Sequence, residues 1–383
     1  MRKGLVILGS TGSIGLSALD VIEKNSERIN LVGLSGHTKV DLLLNQVQKY
    51  RPSLVAVSDK KSHEEFLSRL DSTKTRLLDF DNGIEQLIDN PETDIILNAI
   101  VGAAGLKASL ATVRAGKRLA LANKESMVIG GELINTLADR TGAEIIPVDS
   151  EHSAIWQSLV SGQKKEIKTI LLTGSGGPFR DLPIEKFDSV TKEQALKHPN
   201  WDMGPKITID SATMMNKGLE VIEAVRLFGV PADKIKVVIH PESIVHSMVE
   251  FVDSSIIGQM SNPDMKLPIA YAIFYPERVV AGNGHIDLAE TGRLTFLEPD
   301  FKKFPLLGLG FDIARRGGTL PAVYNAANES AVAAFLNDTI KFKQIPDIVV
   351  NTVEKHNNAE APSYEEILEA DRWARETAKG IIG

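Results

Sequence analysis

Short hydrophobic segments alternate with amphipathic segments over the first 148 residues of the chain. The hydrophobic segments are predicted to be strands, and they lie at residues 5–8, 31–34, 54–57, 95–97, 118–121 and 145–148. Segments with a helical spacing of apolar residues lie between them, for example at residues 17–24, 40–50 and 131–140. Such alternation is typical of a doubly wound parallel sheet with helices on both faces. Residues 1–148 are therefore predicted to form one α/β domain.

The pattern changes after Asp149. Strands of a second sheet are predicted at residues 167–172, 235–239, 247–251 and 256–259, and helices at residues 322–336, 345–355 and 364–379. Residues 175–205 are rich in Gly and Pro and show little periodicity, which is typical of a lid or a binding loop. The sequence thus predicts a central α+β catalytic domain at 149–276, a linker at 277–303 and a C-terminal α-helical domain at 304–383.

The composition is that of a soluble globular protein, with 43% hydrophobic and 24% charged residues in a chain of 383. A formal net charge of −7, without basic clusters, argues against a nucleic-acid-binding surface. The lack of Cys excludes disulfides, thiolate nucleophiles and Cys–zinc sites. The chain enters a strand directly after MRKG, and no apolar segment approaches the length of about 18 residues that crosses a bilayer. We therefore expect a cytoplasmic protein that binds neither nucleic acid nor membrane.

A glycine-rich turn, Gly9-Ser-Thr-Gly12-Ser-Ile-Gly15, follows the first predicted strand and opens the first helix. Glycines at this point let the backbone approach a pyrophosphate, and the helix N-terminus supplies N–H donors. The spacing is GxxGxxG, a variant of the dinucleotide-binding fingerprint. A glycine-rich turn without a ligand is the alternative, but the position in a strand–helix–strand unit favours a Rossmann-like cofactor site.

The segment after the second strand favours NADP over NAD. An NAD site usually has an acidic residue there, which binds the ribose 2′-hydroxyl. This chain instead has His37, Thr38 and Lys39, whose donors and positive charge suit a 2′-phosphate. A solvated turn is the alternative interpretation.

A second candidate cofactor segment follows the predicted strand at residues 118–121. It consists of Asn123, Lys124 and Glu125, at the edge where ligands bind in such sheets, although Asn123 and Glu125 also suit a helix start.

Carboxylates with metal-ligand spacing lie at the end of the predicted first domain. Asp149 and Glu151 are two residues apart, and in extended geometry both side chains point to one side. With a third carboxylate they would form an oxygen-rich set for Mg²⁺ or Mn²⁺, although a helix cap is the more common role of this motif alone. Glu220 is the natural third ligand. A helix would place Asn216, Lys217 and Glu220 near one face, with an exposed Lys–Glu pair as the alternative and with Glu223 as a helix-surface charge.

Small and polar residues indicate a phosphate site. Ser175 lies in a Gly-rich segment whose backbone N–H groups can converge on an anion, although a flexible turn is the alternative. Ser175, Ser211, Asn216 and Lys217 together supply the neutral donors and the single cation that suit a phosphate monoester. His198 and Trp201 lie on the long loop, where closure would cover the substrate, although a lone His or Trp on a loop is usually structural.

These motifs resemble, in order, those of the 1-deoxy-D-xylulose 5-phosphate reductoisomerase family. The matching segments are GSTGSIG, LANKES, PVDSEHSAIWQ, LTGSGGPF, HPNW, DSATMMNKGLE, IHPESIVHSMVEF and NAANE, and they span essentially the whole chain. One position departs from the family pattern, since Lys39 stands where the family usually has Asn.

The resemblance implies a homodimeric NADPH-dependent enzyme of isoprenoid precursor biosynthesis by the MEP pathway. It implies Asp149, Glu151 and Glu220 as ligands of Mg²⁺, Mn²⁺ or Co²⁺. The other implied contacts are Ser175, Ser211, Asn216 and Lys217 to the substrate phosphate, Lys124, Ser150 and Glu151 to its hydroxyl and carbonyl end, His198 and Trp201 from the closing loop, and Thr11, Gly12, Ser13, Ile14, Asn123, Glu125 and Gly204 to NADPH.

The implied reaction has two stages. The metal polarises the ketone as a Lewis acid, and cleavage with re-addition, or a one-step shift, gives a branched aldehyde that NADPH reduces. Lys124, Glu151 or a metal-bound water are candidates for the proton transfers, with His198 and Lys217 beside the reacting groups. The alternatives are another NADP-dependent, metal-assisted dehydrogenase of a phosphorylated sugar and a non-catalytic NADP-binding redox sensor.

Overall fold

The computed structural model describes residues 2–71, 74–201 and 203–383. The chain forms two compact units. The first consists of Met1–Ser126, Ile134–Ser153 and Asp264–Gly284, and the second of Met127–Leu133, Ala154–Pro263 and His285–Gly383. Each unit is therefore built from three separate segments of the chain.

A seven-stranded parallel sheet forms the centre of the first unit. Its strands are β1 (Lys3–Leu8), β2 (Ile29–Gly36), β3 (Leu54–Val57), β4 (Arg76–Leu77), β5 (Ile95–Asn98), β6 (Arg118–Leu121) and β7 (Ile145–Pro147), in the order β4-β3-β2-β1-β5-β6-β7. The predicted doubly wound sheet is confirmed, because all six predicted strands are present. Residues 5–8 are fully buried, as expected for a strand covered on both faces. The order reverses between β1 and β5, which is where ligands bind in such sheets.

Seven helices accompany this half of the chain in the described residues. They are α1 (Ser13–Lys24), α2 (Val40–Tyr50), α3 (Lys60–Arg69), α4 (Gly83–Asp89), α5 (Gly105–Arg114), α6 (Lys124–Thr141) and α7 (Ser150–Leu159). Helix α6 has a non-helical residue at Gly130, within the part of it that belongs to the second unit.

The second unit contains a four-stranded sheet. Its strands are β8 (Ile167–Gly174), β9 (Ile235–Ile239), β10 (Val245–Phe251) and β11 (Ile256–Met260), in the order β11-β10-β8-β9. Strand β8 is parallel to β9 and antiparallel to β10, so this sheet is mixed. The predicted second sheet is confirmed.

Nine further helices lie in the described remainder of the chain. They are α8 (Lys192–Ala195), α9 (Pro205–Ala212), α10 (Met215–Phe228), α11 (Lys266–Phe274), α12 (Leu288–Thr291), α13 (Pro305–Arg316), α14 (Leu320–Leu336), α15 (Gln344–Glu354) and α16 (Tyr364–Ile382). The predicted C-terminal helices correspond to α14, α15 and α16. They pack against one another, and Tyr324 of α14 is among the largest fully buried side chains in the described residues. No helix in the described ranges is both long and apolar enough to span a lipid bilayer.

Residues 264–284 belong to the first unit, whereas the sequence analysis assigned 264–276 to the catalytic domain and 277–284 to the linker. Helix α11 packs on α1, and Lys266 forms an ion pair with Asp20 at 2.8 Å. The guanidinium of Arg118 donates to the carbonyl oxygen of Tyr275 at 2.8 Å. These contacts connect residues far apart in sequence, so hydrophobic periodicity does not reveal them. The other predicted domain boundaries stay predictions.

Candidate active site

The glycine-rich turn lies at the carboxyl end of β1, beside the point where the strand order reverses. Gly9 has a φ of +82°, and a Cβ there would lie 2.7 Å from the carbonyl oxygen of Ala99. Gly12 is the N-cap of α1 and supplies no side chain to its first N–H groups. The turn therefore presents backbone donors at a helix N-terminus, as pyrophosphate binding requires.

Gln46, which is not among the residues predicted from the sequence, holds this turn in place. Its side chain accepts from Ser10 Oγ at 2.7 Å and donates to the Ser10 carbonyl oxygen at 2.9 Å. Gln46 is buried although it is polar. The available signal was a Gln on the core-facing side of the amphipathic segment 40–50.

The three residues proposed to distinguish NADP from NAD follow β2 directly and are exposed. Lys39 Nζ donates to the Thr11 carbonyl oxygen at 3.4 Å, and His37 Nδ1 lies 3.1 Å from Ser58 Oγ. The structure therefore brings Lys39 to the glycine-rich turn, where it can reach an anionic group of a bound dinucleotide.

Asn123 is the N-cap of α6, so the helix-start alternative holds for it. Its Oδ1 accepts from the backbone N–H of Ser126 at 3.0 Å, while its Nδ2 donates to Glu125 Oε2 at 3.0 Å. Both Asn123 and Glu125 are buried. Their proposed contact with the cofactor stays a prediction.

Asp149 forms an ion pair with Lys124 at 2.5 Å, and both side chains are 9% exposed. Its other oxygen lies 3.0 Å from His152 Nδ1. Burial alone would raise the pKa of Asp149, but the positive charge of Lys124 and the hydrogen bond from His152 outweigh it and hold the pKa well below its ordinary value. The carboxylate therefore stays ionised, as a metal ligand must be.

Glu151 does not continue an extended strand, so that part of the sequence interpretation is wrong. Helix α7 begins at Ser150, and the backbone N–H of Glu151 donates to Asp149 Oδ1 at 3.2 Å. Ser150 Oγ donates to Glu151 Oε2 at 2.6 Å. One oxygen of Asp149 and one of Glu151 nevertheless lie within 4.8 Å of each other, which is compatible with a shared cation.

Glu220 is fully buried on α10, within the second unit. Asn216 Nδ2 and Lys217 Nζ donate to its two carboxylate oxygens, so the predicted helical face is confirmed. The alternative of an exposed Lys–Glu pair is wrong, since the Lys217 and Glu220 side chains are 5% and 1% exposed. Glu223 is also fully buried rather than at the surface, because α10 packs against α9, α13 and α14.

Ser175 follows β8 in the Gly-rich segment. Its Oγ accepts from the backbone N–H of Gly177 and lies 3.1 Å from His198 Nε2. The backbone N–H groups of Asn200 and Trp201 both point at His198 Nδ1, so the ring proton lies on Nε2 and is donated to Ser175. The Ser175 hydroxyl can then donate its own proton to an acceptor such as a phosphate oxygen.

Two close backbone approaches bring the proposed phosphate ligands together. A Cβ on Gly174 would lie 2.7 Å from Lys217 Cε, and a Cβ on Gly177 would lie 2.5 Å from the Ser211 carbonyl oxygen. The end of β8 and the residues that follow it are thus packed directly against the end of α9 and the start of α10. Ser175, Ser211 and Lys217 consequently line one small region.

Gly177→Ala is expected to raise the KM for a phosphorylated substrate by about tenfold, because the new methyl group would push Ser211 away from Ser175 and weaken one hydrogen bond to phosphate. Gly142→Ala is the matched control. Gly142 also has a positive φ, +74°, but a Cβ there would meet nothing within 4 Å. Both variants carry a similar backbone strain of about 1–2 kcal/mol, so steady-state kinetics beside thermal unfolding isolates the contact with Ser211. Equal KM values in the two variants would contradict this packing role.

The predicted lid at 175–205 is not an irregular loop throughout, because part of it is helical. A 3-10 helix at Ile184–Ser189 and helix α8 lie within it. Phe187 packs 5.6 Å from the ring of Phe342, and Lys192 Nζ donates to Asp338 Oδ2 at 2.6 Å. The first part of the segment is therefore attached to the residues that join α14 to α15.

The remaining part, residues 196–204, carries His198 and Trp201. Asn200 Nδ2 donates to Ser243 Oγ at 2.7 Å, and the Trp201 ring lies 6.2 Å from that of His246. Asp202 lies outside the described residues. Gly204 forms the N-cap of α9, and its proposed contact with NADPH stays a prediction.

Sequence models of known families match almost the whole chain. The model described as 1-deoxy-D-xylulose 5-phosphate reductoisomerase matches residues 5–131, and that of its C-terminal domain matches residues 145–228. A third, described as the DXP reductoisomerase C-terminal domain, matches residues 260–377.

Individual relatives match over their full length. The 1-deoxy-D-xylulose 5-phosphate reductoisomerase of Chlorobaculum tepidum is 51% identical over 381 residues, and that of Chlorobium limicola is 50% identical, with 100% of both chains covered in each case. The solved structure of the Zymomonas mobilis reductoisomerase in complex with NADPH has a TM-score of 0.94 and 38% identity, covering 100% of this chain and 99% of that one. A crystal structure of DOX-P reductoisomerase with NADPH, fosmidomycin and magnesium has a TM-score of 0.92 and 40% identity, covering 99% and 98%.

Proposed function

Because the chain belongs to the 1-deoxy-D-xylulose 5-phosphate reductoisomerase family, we propose that it converts 1-deoxy-D-xylulose 5-phosphate to 2-C-methyl-D-erythritol 4-phosphate with NADPH and a divalent cation. This reaction supplies precursors for isoprenoid biosynthesis. The observation that carries the proposal is the match to relatives of this activity along the entire chain. The cluster of Ser175, Ser211 and Lys217, in which Ser175 and Lys217 are buried, supports it, because it suits a phosphate group.

The proposed NADPH site lies at the carboxyl edge of the first sheet. Backbone donors of the glycine-rich turn would bind the pyrophosphate, and the segment after β2 would bind the 2′-phosphate. The residues proposed to contact the cofactor are Gly9, Thr11, Gly12, Ser13, Ile14, His37, Thr38, Lys39, Asn123, Glu125 and Gly204.

Lys39→Met is expected to weaken NADPH binding by five- to tenfold, or about 1 kcal/mol, because an exposed charge-assisted hydrogen bond to the 2′-phosphate is lost. NADH affinity should not change, since NADH has no 2′-phosphate. Fluorescence titration with both nucleotides measures the difference. Lys3→Met, an exposed Lys at the opposite end of β1, is the control. A similar loss of affinity for NADPH and NADH would contradict the role of Lys39.

Asp149, Glu151 and Glu220 are proposed to hold the divalent cation. Their carboxylate oxygens are ligands that Mg²⁺, Mn²⁺ and Co²⁺ accept. Asp149 and Glu220 each form an ion pair with a lysine ammonium in the structure, which favours their ionised form. Ionised carboxylates are what a divalent cation requires of its ligands. When bound, the cation would polarise the substrate carbonyl as a Lewis acid.

The chain's own side chains would orient the substrate and move protons. Ser175, Ser211, Asn216 and Lys217 would hold its phosphate, leaving Ser150, Glu151 and Lys124 for the hydroxyl and carbonyl end. Lys124 and Glu151 are the proposed proton carriers, since each already hydrogen-bonds within this group of residues. His198 and Trp201 would exclude water when residues 196–204 cover the substrate. A homodimer in the cytoplasm is proposed on the family alone.

The proposed function predicts that NADPH absorbance falls when 1-deoxy-D-xylulose 5-phosphate and Mg²⁺ are both added to the purified chain. Omitting the substrate, or removing the cation with a chelator, should stop the reaction. NADPH that binds but is never oxidised under any of these conditions would overturn the proposal and favour a redox sensor.

A further inference from the structure

Asp210 is a buried carboxylate immediately before Ser211, and it has no role in the proposed reaction. The side chain is 1% exposed. Asn328 Nδ2 of α14 donates to its Oδ1 at 2.7 Å, and Lys206 Nζ forms an ion pair with its Oδ2 at 2.9 Å. Asn328 lies 118 positions further along the chain, in the NAANE segment, and is fully buried. The carboxylate therefore connects the end of α9 to a helix of the C-terminal part.

The position of α9 determines the position of the phosphate ligands that follow it. The Asp210 carbonyl oxygen accepts from Thr213 Oγ1 at 3.3 Å, within the corner that joins α9 to α10. Met214 completes this corner with a left-handed φ of +59° and is the N-cap of α10. Asn216 and Lys217 lie in the first turn of α10. A movement of Asp210 would therefore displace Ser211, which follows it directly, and Lys217, which follows the corner.

The charge of Asp210 is unfavourable for phosphate binding unless it is compensated, since it lies next to a ligand of a dianion. Burial of a carboxylate is also costly without a partner charge and hydrogen bonds. Lys206 supplies the charge, and Asn328 supplies the hydrogen bond. The pKa of Tyr324 is raised well above its ordinary value, mainly because the phenol is buried and to a smaller extent because Asp210 is negatively charged. This neighbouring phenol therefore stays neutral. Its hydroxyl donates to the Leu306 carbonyl oxygen at 2.8 Å.

We propose that Asp210, Lys206 and Asn328 form a positioning network that fixes Ser211 and Lys217 for the substrate phosphate. Through it the C-terminal helix α14 contributes to substrate affinity without touching the substrate. The inference rests on the proposed function, because it assumes that Ser211 and Lys217 bind a phosphate. Asp210 itself is a positioning residue and takes no part in the reaction.

Asp210→Asn is expected to raise the KM for 1-deoxy-D-xylulose 5-phosphate, and the Ki of inorganic phosphate as a competitor, by about tenfold. The kcat should stay within about twofold, and the NADPH dissociation constant should not change. Asn328→Ala should give a similar increase in KM, because it removes the hydrogen bond to the Asp210 carboxylate, whereas Asp210→Asn removes the ion pair of that carboxylate with Lys206.

Asn325→Ala is the matched control. Asn325 lies one turn earlier on α14, is also fully buried, and donates to Glu329 rather than to α9. It should lower the unfolding temperature like Asn328→Ala but leave the KM and the phosphate Ki unchanged. Equal effects of Asn325→Ala and Asn328→Ala on KM would overturn the positioning role, because a general loss of packing would then explain both.

Ser211→Ala, measured in parallel, separates this inference from the proposed function. A raised KM in Ser211→Ala with an unchanged KM in Asp210→Asn overturns the positioning network alone. Unchanged KM and phosphate Ki in both variants overturn the phosphate assignment together with the network. Raised values in both, with the Asn325 control unchanged, support the network.

Discussion

Glu220→Gln is expected to lower kcat by about a thousandfold, equivalent to about 4 kcal/mol, while sparing NADPH affinity. The substitution keeps the size of the side chain and its capacity to accept a hydrogen bond from Asn216, but it removes one negative charge from the proposed cation ligands. Mn²⁺ binding, followed by electron paramagnetic resonance, should weaken in parallel with turnover. NADPH binding by fluorescence should match that of the unmodified chain, because Glu220 is not among the residues proposed to contact the cofactor.

Glu298→Gln is the matched control for this charge change. Glu298 lies in the same unit and pairs with Lys236 at 2.7 Å, but its side chain is 74% exposed. A thermal unfolding scan is needed for both variants, because the buried ammonium of Lys217 loses its ion-pair partner in Glu220→Gln. Full activity and unchanged Mn²⁺ affinity in Glu220→Gln would show that Glu220 is not a metal ligand.

Lys217→Met is expected to raise the KM for the phosphorylated substrate by about 30- to 150-fold, equivalent to about 2–3 kcal/mol. The variant removes the only cation among the four proposed phosphate ligands and keeps an unbranched side chain of similar length. Because the Lys217 stem passes close to Gly174, the bulkier Lys217→Arg is not expected to restore the affinity. Inhibition by inorganic phosphate should weaken by a similar factor.

Lys236→Met removes an exposed charge from the same unit and should leave the KM unchanged. The comparison is informative because Lys217→Met also leaves the Glu220 carboxylate without this partner. A loss of kcat at an unchanged KM would place Lys217 with the reacting groups instead of the phosphate, and would contradict the account given for it.

The strands of the first sheet could be predicted because each central strand is a continuous apolar segment, buried on both faces. Strand β4 could not, since Arg76 and Leu77 are too few to show any pattern. The start of α7 was misjudged for a different reason. The segment after Asp149 has Ser and Glu in its first turn, which is a signature of a helix start, but the preceding strand made an extended continuation look natural.

The candidate site was predictable where polar residues interrupt apolar or Gly-rich sequence, as at Ser175 and Lys217. It was not predictable at Asp210, a charged helix residue that looks like a solvent-facing position until its partners are known. The partner of Asp210 is contributed by a distant helix, and no local pattern contains that contact. Pairings across the fold are therefore the part of the site that only the structure supplies.

The most direct test of the central claim is the carbon skeleton of the product formed from ¹³C-labelled 1-deoxy-D-xylulose 5-phosphate with NADPH and Mg²⁺. The account predicts a branched product, 2-C-methyl-D-erythritol 4-phosphate, identified by the new carbon–carbon coupling in the ¹³C spectrum. A straight-chain polyol phosphate, formed by simple reduction of the ketone, would contradict it and favour an ordinary metal-assisted dehydrogenase.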